Sequence, residues 1–375
     1  MRLLRHACVA AVLAAALLAA PAAELTVLPE GSAAQRIALG NEALMQKRYE
    51  TAIEHYRRAL VADSTSFQAL FNLALAYQQL GQNEEARSWY EQASKVGQGH
   101  PEVLCNLGVL AFKAGDFTTA ADRFGEAARL ASEAPAEAAD YWFNVGTARE
   151  RLSQWQESKR AYEECLAIVP GHFGAQYNLG TLYLGPLADQ PQALFKSETH
   201  LAKARDLAPT RSEPWVNLAL VHERTGAGEP DADFAQALKV ASGAQAQRVL
   251  WQRALFANRQ KPPRKVAMRD DLQRILTEDA DFPEANGMLG AYCFAIADYE
   301  KAIALLEREV APGHFDPSSN VDLESHYLLA LIYTDHRPDA TKALAHASAY
   351  YEQRPDSAKI HELRRRALRL SAGGQ

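Results

Sequence analysis

Along most of the chain, apolar residues return every third or fourth position, the period that lays one apolar stripe along an α-helix. Turn residues separate these stretches, as in Leu80-Gly81-Gln82-Asn83, Ala114-Gly115-Asp116 and Ala297-Asp298. A longer period overlies the helical one. A Leu/Val–Gly/Ala pair stands at Leu39-Gly40, Leu73-Ala74, Leu107-Gly108, Val145-Gly146, Leu179-Gly180, Leu218-Ala219 and Leu289-Gly290. The first three pairs are 34 residues apart, the next gap is 38, with the extra residues around Ala134-Pro135-Ala136, and gaps of 34 and 39 follow. Other positions keep phase with the pair. Ala52, Ala86, Ala120 and Ala302 come first, then the large residues Tyr56, Tyr90, Phe124, Tyr162 and Leu306, then Ala59, Ala93 and Ala127. Pro170, Pro209 and Pro355 close their units, and Leu70, Leu104, Trp142 and Trp215 open first helices.

These spacings predict pairs of antiparallel helices. A small residue belongs where two helices cross closely, and a large one fills the space to the next pair. One hairpin cannot bury its apolar face alone, so stability must come from stacked neighbours. The pattern resembles the tetratricopeptide repeat over most of residues 33 to 357. That resemblance implies an all-α, right-handed solenoid of about eight helix pairs with a C-terminal capping helix. Residues 33–241 read as an array of about six repeats, irregular in the fifth and sixth. The fifth carries five extra residues in Leu184 to Pro191, and the sixth is one residue short around Gly226 to Pro230. Residues 242–282 read as a degenerate repeat, with helices over 242–260 and 266–278 and an exposed Pro262-Pro263 loop. Residues 283–356 return to the pattern, and 357–375 form the cap and tail, with Ile360, Leu363 and Leu370 among arginines.

The ends and the composition refine this picture. Arg2 and Arg5, an apolar run of fourteen residues from Ala7 to Ala20, and the small residues of Ala20-Pro21-Ala22 make the layout of a secretory signal peptide over 1–22, with a linker over 23–32. The run is short for a membrane span, although an uncleaved anchor is the rival reading. Cys8 sits at the start of the run, the wrong end for lipid attachment. The expected location is therefore across the cytoplasmic membrane, in the periplasm or cell envelope. Removal of the segment leaves Cys105, Cys165 and Cys293, expected as small buried hydrophobes. A hydrophobic fraction of 48% and a charged fraction of 23% exclude global disorder. A net charge of −6 offers no bulk basic field for nucleic acid, and no second apolar run makes membrane contact a requirement.

In proteins of this repeat class the first helices line a concave groove where partners bind. The sixth repeat position is Asn72, Asn106, Asn144, Asn178 and Asn217 in five consecutive units. An amide carries two donors and an acceptor, so such a row can hold the backbone of an extended peptide without reading its sequence. It resembles the asparagine ladder of O-linked N-acetylglucosamine transferases, whose catalytic domain has no counterpart here. The same amides could instead bond locally within the array. Phe71, Leu75, Val109, Phe112, Phe143, Tyr177, Val216 and Leu220 are the neighbouring groove positions, with Glu150, Arg151, Glu223 and Arg224 near the helix ends. Ile37, Phe71 and Cys105 stand where a carboxylate clamp needs Lys and Asn.

No HExxH helix, GxxxxGK[ST] loop, GxSxG elbow or CxxC pair occurs. His326, His336 and His346 are ten residues apart and read as solvated or capping residues, as does His314 near Asp316. Neither a catalytic residue, a metal site nor a cofactor is expected. The leading expectation is a non-catalytic protein-protein interaction scaffold binding a peptide segment. An enzyme or regulatory subunit with a site in the irregular residues 226–269 is one alternative, and a self-associating array, forming a homo-oligomer, is another.

Overall fold

The computed structural model describes residues 31–372 except 98, 314, 315 and 317, so the expected signal segment and His314 lie outside the described residues. Nineteen helices and no strand are found among the described residues. The chain divides after Ala208 into two compact units.

The first unit holds five hairpins: α1 (Ala33–Met45) with α2 (Tyr49–Ala62), α3 (Phe67–Gln79) with α4 (Asn83–Val96), α5 (Pro101–Lys113) with α6 (Phe117–Leu130), α7 (Pro135–Arg151) with α8 (Trp155–Ile168), and α9 (Phe173–Leu184) with α10 (Ala193–Leu207). The second holds α11 (Ser212–Thr225) with α12 (Pro230–Val240), α13 (Ala244–Arg259) with α14 (Lys265–Glu278), α15 (Ala285–Ala295) with α16 (Tyr299–Glu309), α17 (Asn320–Asp335) with α18 (Ala340–Gln353), and a last helix α19 (Ala358–Ala372). That makes nine hairpins, one more than the period suggested, because the irregular stretches after Leu184 also fold as full pairs.

Local chemistry starts and stops these helices. Ser66 Oγ accepts from Ala69 N at 3.4 Å to open α3, and Asp116 Oδ1 accepts from Thr119 N at 3.0 Å to open α6. Pro101, Pro135 and Pro230 occupy first turns, where no amide hydrogen is missed. Five hairpins turn in one way. Lys47, Gly81, Gly115, Ser153 and Ala297 adopt positive φ, each seven residues after the small residue of its pair. The following amide reaches back across the turn: Arg48 to Ala43, Gln82 to Tyr77, Asp116 to Ala111, Gln154 to Arg149 and Asp298 to Cys293, at 2.8–3.0 Å. This six-to-one bond satisfies a carbonyl that the helix end leaves open. Only two of the five turns use glycine.

The small and large residues meet as their spacing requires. A methyl carbon on Gly108 would sit 2.8 Å from the Phe124 ring, and one on Gly290 would sit 2.7 Å from Leu306. Gly40 and Gly146 lie in the same way under Tyr56 and Tyr162. Tyr56, Tyr90, Phe124 and Tyr162 are fully buried, and so are Ala59, Ala93 and Ala127 beside them. Within each unit, each second helix then packs on the first helix of the next pair, as α2 does on α3 and α4 on α5.

The histidines differ in part from expectation. His326 is buried in the α17–α18 hairpin, with Nδ1 2.9 Å from Nδ1 of His346. Burial first, and His346 second, lower its pKa to about 4. His336, by contrast, meets the expectation: it is exposed, caps the C-terminus of α17 and stacks on Tyr299 at 4.2 Å. Among the described residues no three metal-ligating side chains gather, and no helix is long and apolar enough to cross a membrane.

Candidate functional site

Residues at i, i+4 and i+7 share one face of a helix. In the first unit this face carries Phe71, Leu75 and Gln78 on α3, and Cys105, Val109 and Phe112 on α5. It continues with Phe143, Thr147 and Glu150 on α7, and Tyr177, Thr181 and Leu184 on α9. Burial divides it. Leu75, Gln78, Cys105, Phe143 and Leu184 are buried, whereas Phe71, Val109, Phe112, Thr147, Glu150, Tyr177 and Thr181 are half-buried. Phe112 meets Phe117 edge-on at 5.0 Å, and Tyr177 stacks on Phe173 at 6.0 Å. Phe143 is no groove residue: it sits between Tyr162 at 5.7 Å and His172 at 4.9 Å.

The amide row divides as well. Asn72, Asn106 and Asn144 are 2%, 3% and 1% exposed, which leaves a peptide backbone no route to them. Their setting is local. Asn72 Nδ2 donates to Asn41 Oδ1 at 2.8 Å, and Tyr56 OH donates to the same oxygen at 2.8 Å. Asn178 Nδ2 donates to Tyr162 OH at 2.9 Å. In both cases the amide ties a first helix to the phenol sixteen residues before it, one hairpin back. Tyr90 has the same place before Asn106 but donates to Gln78 Oε1 at 2.8 Å, and Asn106 Nδ2 finds no partner among the described residues. Phe124, before Asn144, has no hydroxyl to offer. Asn178 stays half-buried at the face, and Asn217 is half-buried on α11 of the second unit, with Val216 and Leu220.

Sequence reasoning gave Glu150 only as a helix-end charge. The structure makes it the polar centre of the face. The buried Tyr162 OH lies below it, within 3.4 Å of Thr147 Oγ1 and accepting from Asn178 Nδ2, and the phenol favours the Glu150 carboxylate. Burial raises the Glu150 carboxyl to about 7, against a smaller lowering by that phenol. The same burial pushes the Tyr162 phenol far above its ordinary value.

The irregular residues 226–269 spend their charges on one another and on their neighbours. Arg264 Nη1 lies 2.7 Å from Asp231, Arg259 Nη2 2.8 Å from Glu223, and His222 Nδ1 2.6 Å from Asp233. Arg253 grips the buried Asp271 through Nε at 2.8 Å and Nη2 at 2.5 Å. Arg259 and Arg264, which flank the Pro262-Pro263 loop, therefore clamp it to α11 and α12. Cys105, Cys165 and Cys293 are buried and form no disulfide with one another, and burial pushes Cys165 up to about 12.

The helix pairs and their joints define a helical-repeat protein of the kind that serves as an interaction module. Comparison with known families sharpens this. A TPR repeat model matches residues 40–81, and tetratricopeptide repeat models match 65–133 and 105–172, so tetratricopeptide repeats are present across that stretch. The chain is 27% identical over 150 residues to tetratricopeptide repeat protein 8 of Caenorhabditis elegans, covering 40% of this chain and 29% of that protein. It is 26% identical over 135 residues to the tetratricopeptide repeat and J domain-containing co-chaperone DNJ1 of Cryptococcus neoformans var. grubii, covering 36% and 26%. The chain thus spans less than a third of the length of these relatives. Among solved structures it is similar in fold to pilF of Pseudomonas aeruginosa, with a TM-score of 0.48 at 16% identity over 58% of this chain and 95% of that one. It is also similar in fold to YrrB, described as a TPR protein with an unusual peptide-binding site, with a TM-score of 0.42 at 22% identity over 49% and 91%.

Proposed function

We propose that the chain is a non-catalytic scaffold that holds a segment of a partner protein against the first-helix face of its first unit. One observation carries the reading: Phe71 on α3, Val109 and Phe112 on α5 and Tyr177 on α9 stay half-buried on the same helix face, with the half-buried Thr147 and Glu150 of α7 between them. Such a face gives apolar contacts to a partner side chain, and Asn178 and Thr181 give polar ones, the mixture that suits an extended or helical segment. Asn72 and Asn178 act as struts that tie their first helices to the preceding hairpin. The segment over 1–22 supports a second part of the proposal, that the scaffold works beyond the cytoplasmic membrane, in the periplasm or cell envelope.

The test is crosslinking in cells with co-purification, comparing wild type with a Phe112→Ala/Tyr177→Ala double variant. Both side chains are half-buried, so the array should stay folded by circular dichroism while a groove partner is lost. A partner retained by the double variant moves the interface elsewhere and sinks the reading. Mass measurement of the purified chain checks the location: a mass lacking residues 1–22 supports export, and a full-length cytoplasmic chain refutes it.

A further inference from the structure

Glu150 is the one acidic side chain among the face positions named above, and none of the ion pairs among the described residues includes it. Its two neighbours in sequence are cations, yet both are engaged elsewhere. Arg149 bonds Asp122 at 3.1 Å and Gln154 at 2.7 Å, and Arg151 lies 4.8 Å over the Phe117 ring. Among the described residues no Lys, Arg or His makes an ion pair with Glu150. Its place in the array is fixed by the repeat. Gln78, Phe112, Glu150 and Leu184 stand four residues after the small residue of successive pairs, so the carboxyl follows the half-buried Phe112 along the face.

We propose that Glu150 receives a basic side chain, so that the segment held on this face carries a lysine or arginine beside apolar residues. This rests on the scaffold reading above and names the chemistry of its partner. The argument is one of charge complementarity. A half-buried carboxyl has lost water without gaining a counter-ion, and an arriving ammonium or guanidinium supplies one. A guanidinium can bond both carboxylate oxygens, and an ammonium acts as a point charge with three donors. The stem of either side chain has Phe112 and Val109 to lie on, since long cationic side chains bury their methylenes on apolar surface. An uncharged or acidic segment would leave the carboxyl desolvated and unpaired, so the face selects as well as binds.

The experiment is a selection of displayed random 12-residue peptides on the full chain, followed by affinity measurement with synthetic peptides from the winners. Wild type is expected to enrich Lys or Arg at one fixed place next to apolar residues. Glu150→Gln should lose that enrichment, and Glu150→Lys should replace it with Asp or Glu. Changing the basic residue of a selected peptide to Gln should weaken binding to wild type at least about tenfold and change binding to Glu150→Gln little. Circular dichroism and melting check that both variants stay folded, and Glu150→Gln keeps the size of the native side chain. Peptides that need Phe112 but show the same basic content on wild type and Glu150→Gln overturn this inference and leave the scaffold reading standing. No selected peptide, or peptides indifferent to Phe112→Ala/Tyr177→Ala, overturns both. A wild-type dimer in sedimentation that Glu150→Gln disperses puts a second copy on the face and also overturns the proposal.

Discussion

The two units close their hairpins by different chemistry. In the first, Gly40, Gly108 and Gly146 sit under the rings of Tyr56, Phe124 and Tyr162, and at Gly146 the buried Ser158 Oγ also donates to the Gly146 carbonyl at 2.9 Å. In the second, the α13–α14 hairpin closes on the Arg253–Asp271 pair and the α17–α18 hairpin on the His326–His346 pair. Only the α15–α16 hairpin repeats the close crossing there, with Gly290 against Leu306. A ring over a glycine is set by shape alone. A charged pair across a hairpin is set by its partner, and each half is costly without the other.

The sharpest way to break the comparison is to remove one half of a polar joint. Asp271 is 2% exposed and holds its charge through Arg253. Replacing Arg253 by Met leaves a sealed carboxylate without its cation, and the second unit should lose about 3 kcal/mol in denaturant unfolding. The double change Arg253→Met/Asp271→Leu should recover most of that loss, because an apolar pair of similar volume needs no desolvation. A single variant as stable as wild type would show that the pair is an ornament of the surface. Hydrogen exchange read by region separates the units, and the first should be unaffected by either change.

The glycine joints give the next largest effect. A methyl group on Gly146 would meet the fully buried Tyr162 ring, which has no room to turn. One on Gly290 would meet the end of Leu306, a side chain with other rotamers. Gly146→Ala should therefore cost about 1–3 kcal/mol by overpacking, and Gly290→Ala less. Equal losses, or none at Gly146, would mean that the ring and the glycine are not the element that sets helix spacing in the first unit.

The same contrast explains what was legible in the sequence. The period of small and large residues follows from helix geometry, so Gly146 and Tyr162 announced a contact sixteen residues long. It faded where the joints became polar. Arg253, Asp271, His326 and His346 look in sequence like solvated charges, because only the folded hairpin brings 253 to 271 and 326 to 346. The candidate site was legible in part. Phe71, Val109, Phe112 and Tyr177 were placed on the partner-facing side by the repeat register together with the family resemblance, and all four are half-buried there. Periodicity could not tell that Asn72, Asn106 and Asn144 turn inward, since a residue next to the stripe faces solvent or the neighbouring hairpin according to what that hairpin offers. Glu150 was missed as a centre for a related reason. Its isolation depends on Arg149 and Arg151 leaning away, a matter of side-chain direction.

The smallest effect separates two asparagines that the sequence cannot distinguish. Asn72 and Asn106 hold the same repeat position and are equally buried, but Asn72 is bonded to Asn41, and the Asn106 Nδ2 is bonded to nothing among the described residues. Asn72→Leu should cost about 1 kcal/mol, the net worth of a buried hydrogen bond, and the shared Asn41 oxygen keeps its bond from Tyr56. Asn106→Leu removes an unsatisfied donor and should cost nothing or add stability, because a buried polar group without a partner is itself a penalty. Melting curves of the two variants decide it. If both lose the same amount, Asn106 has a partner in solution, and the strut that joins Asn72 and Asn178 to the preceding hairpin would extend to α5 as well. If they differ, the amide row is a set of separate ties, present where the preceding hairpin supplies a phenol free to bond and idle where Tyr90 has turned to Gln78.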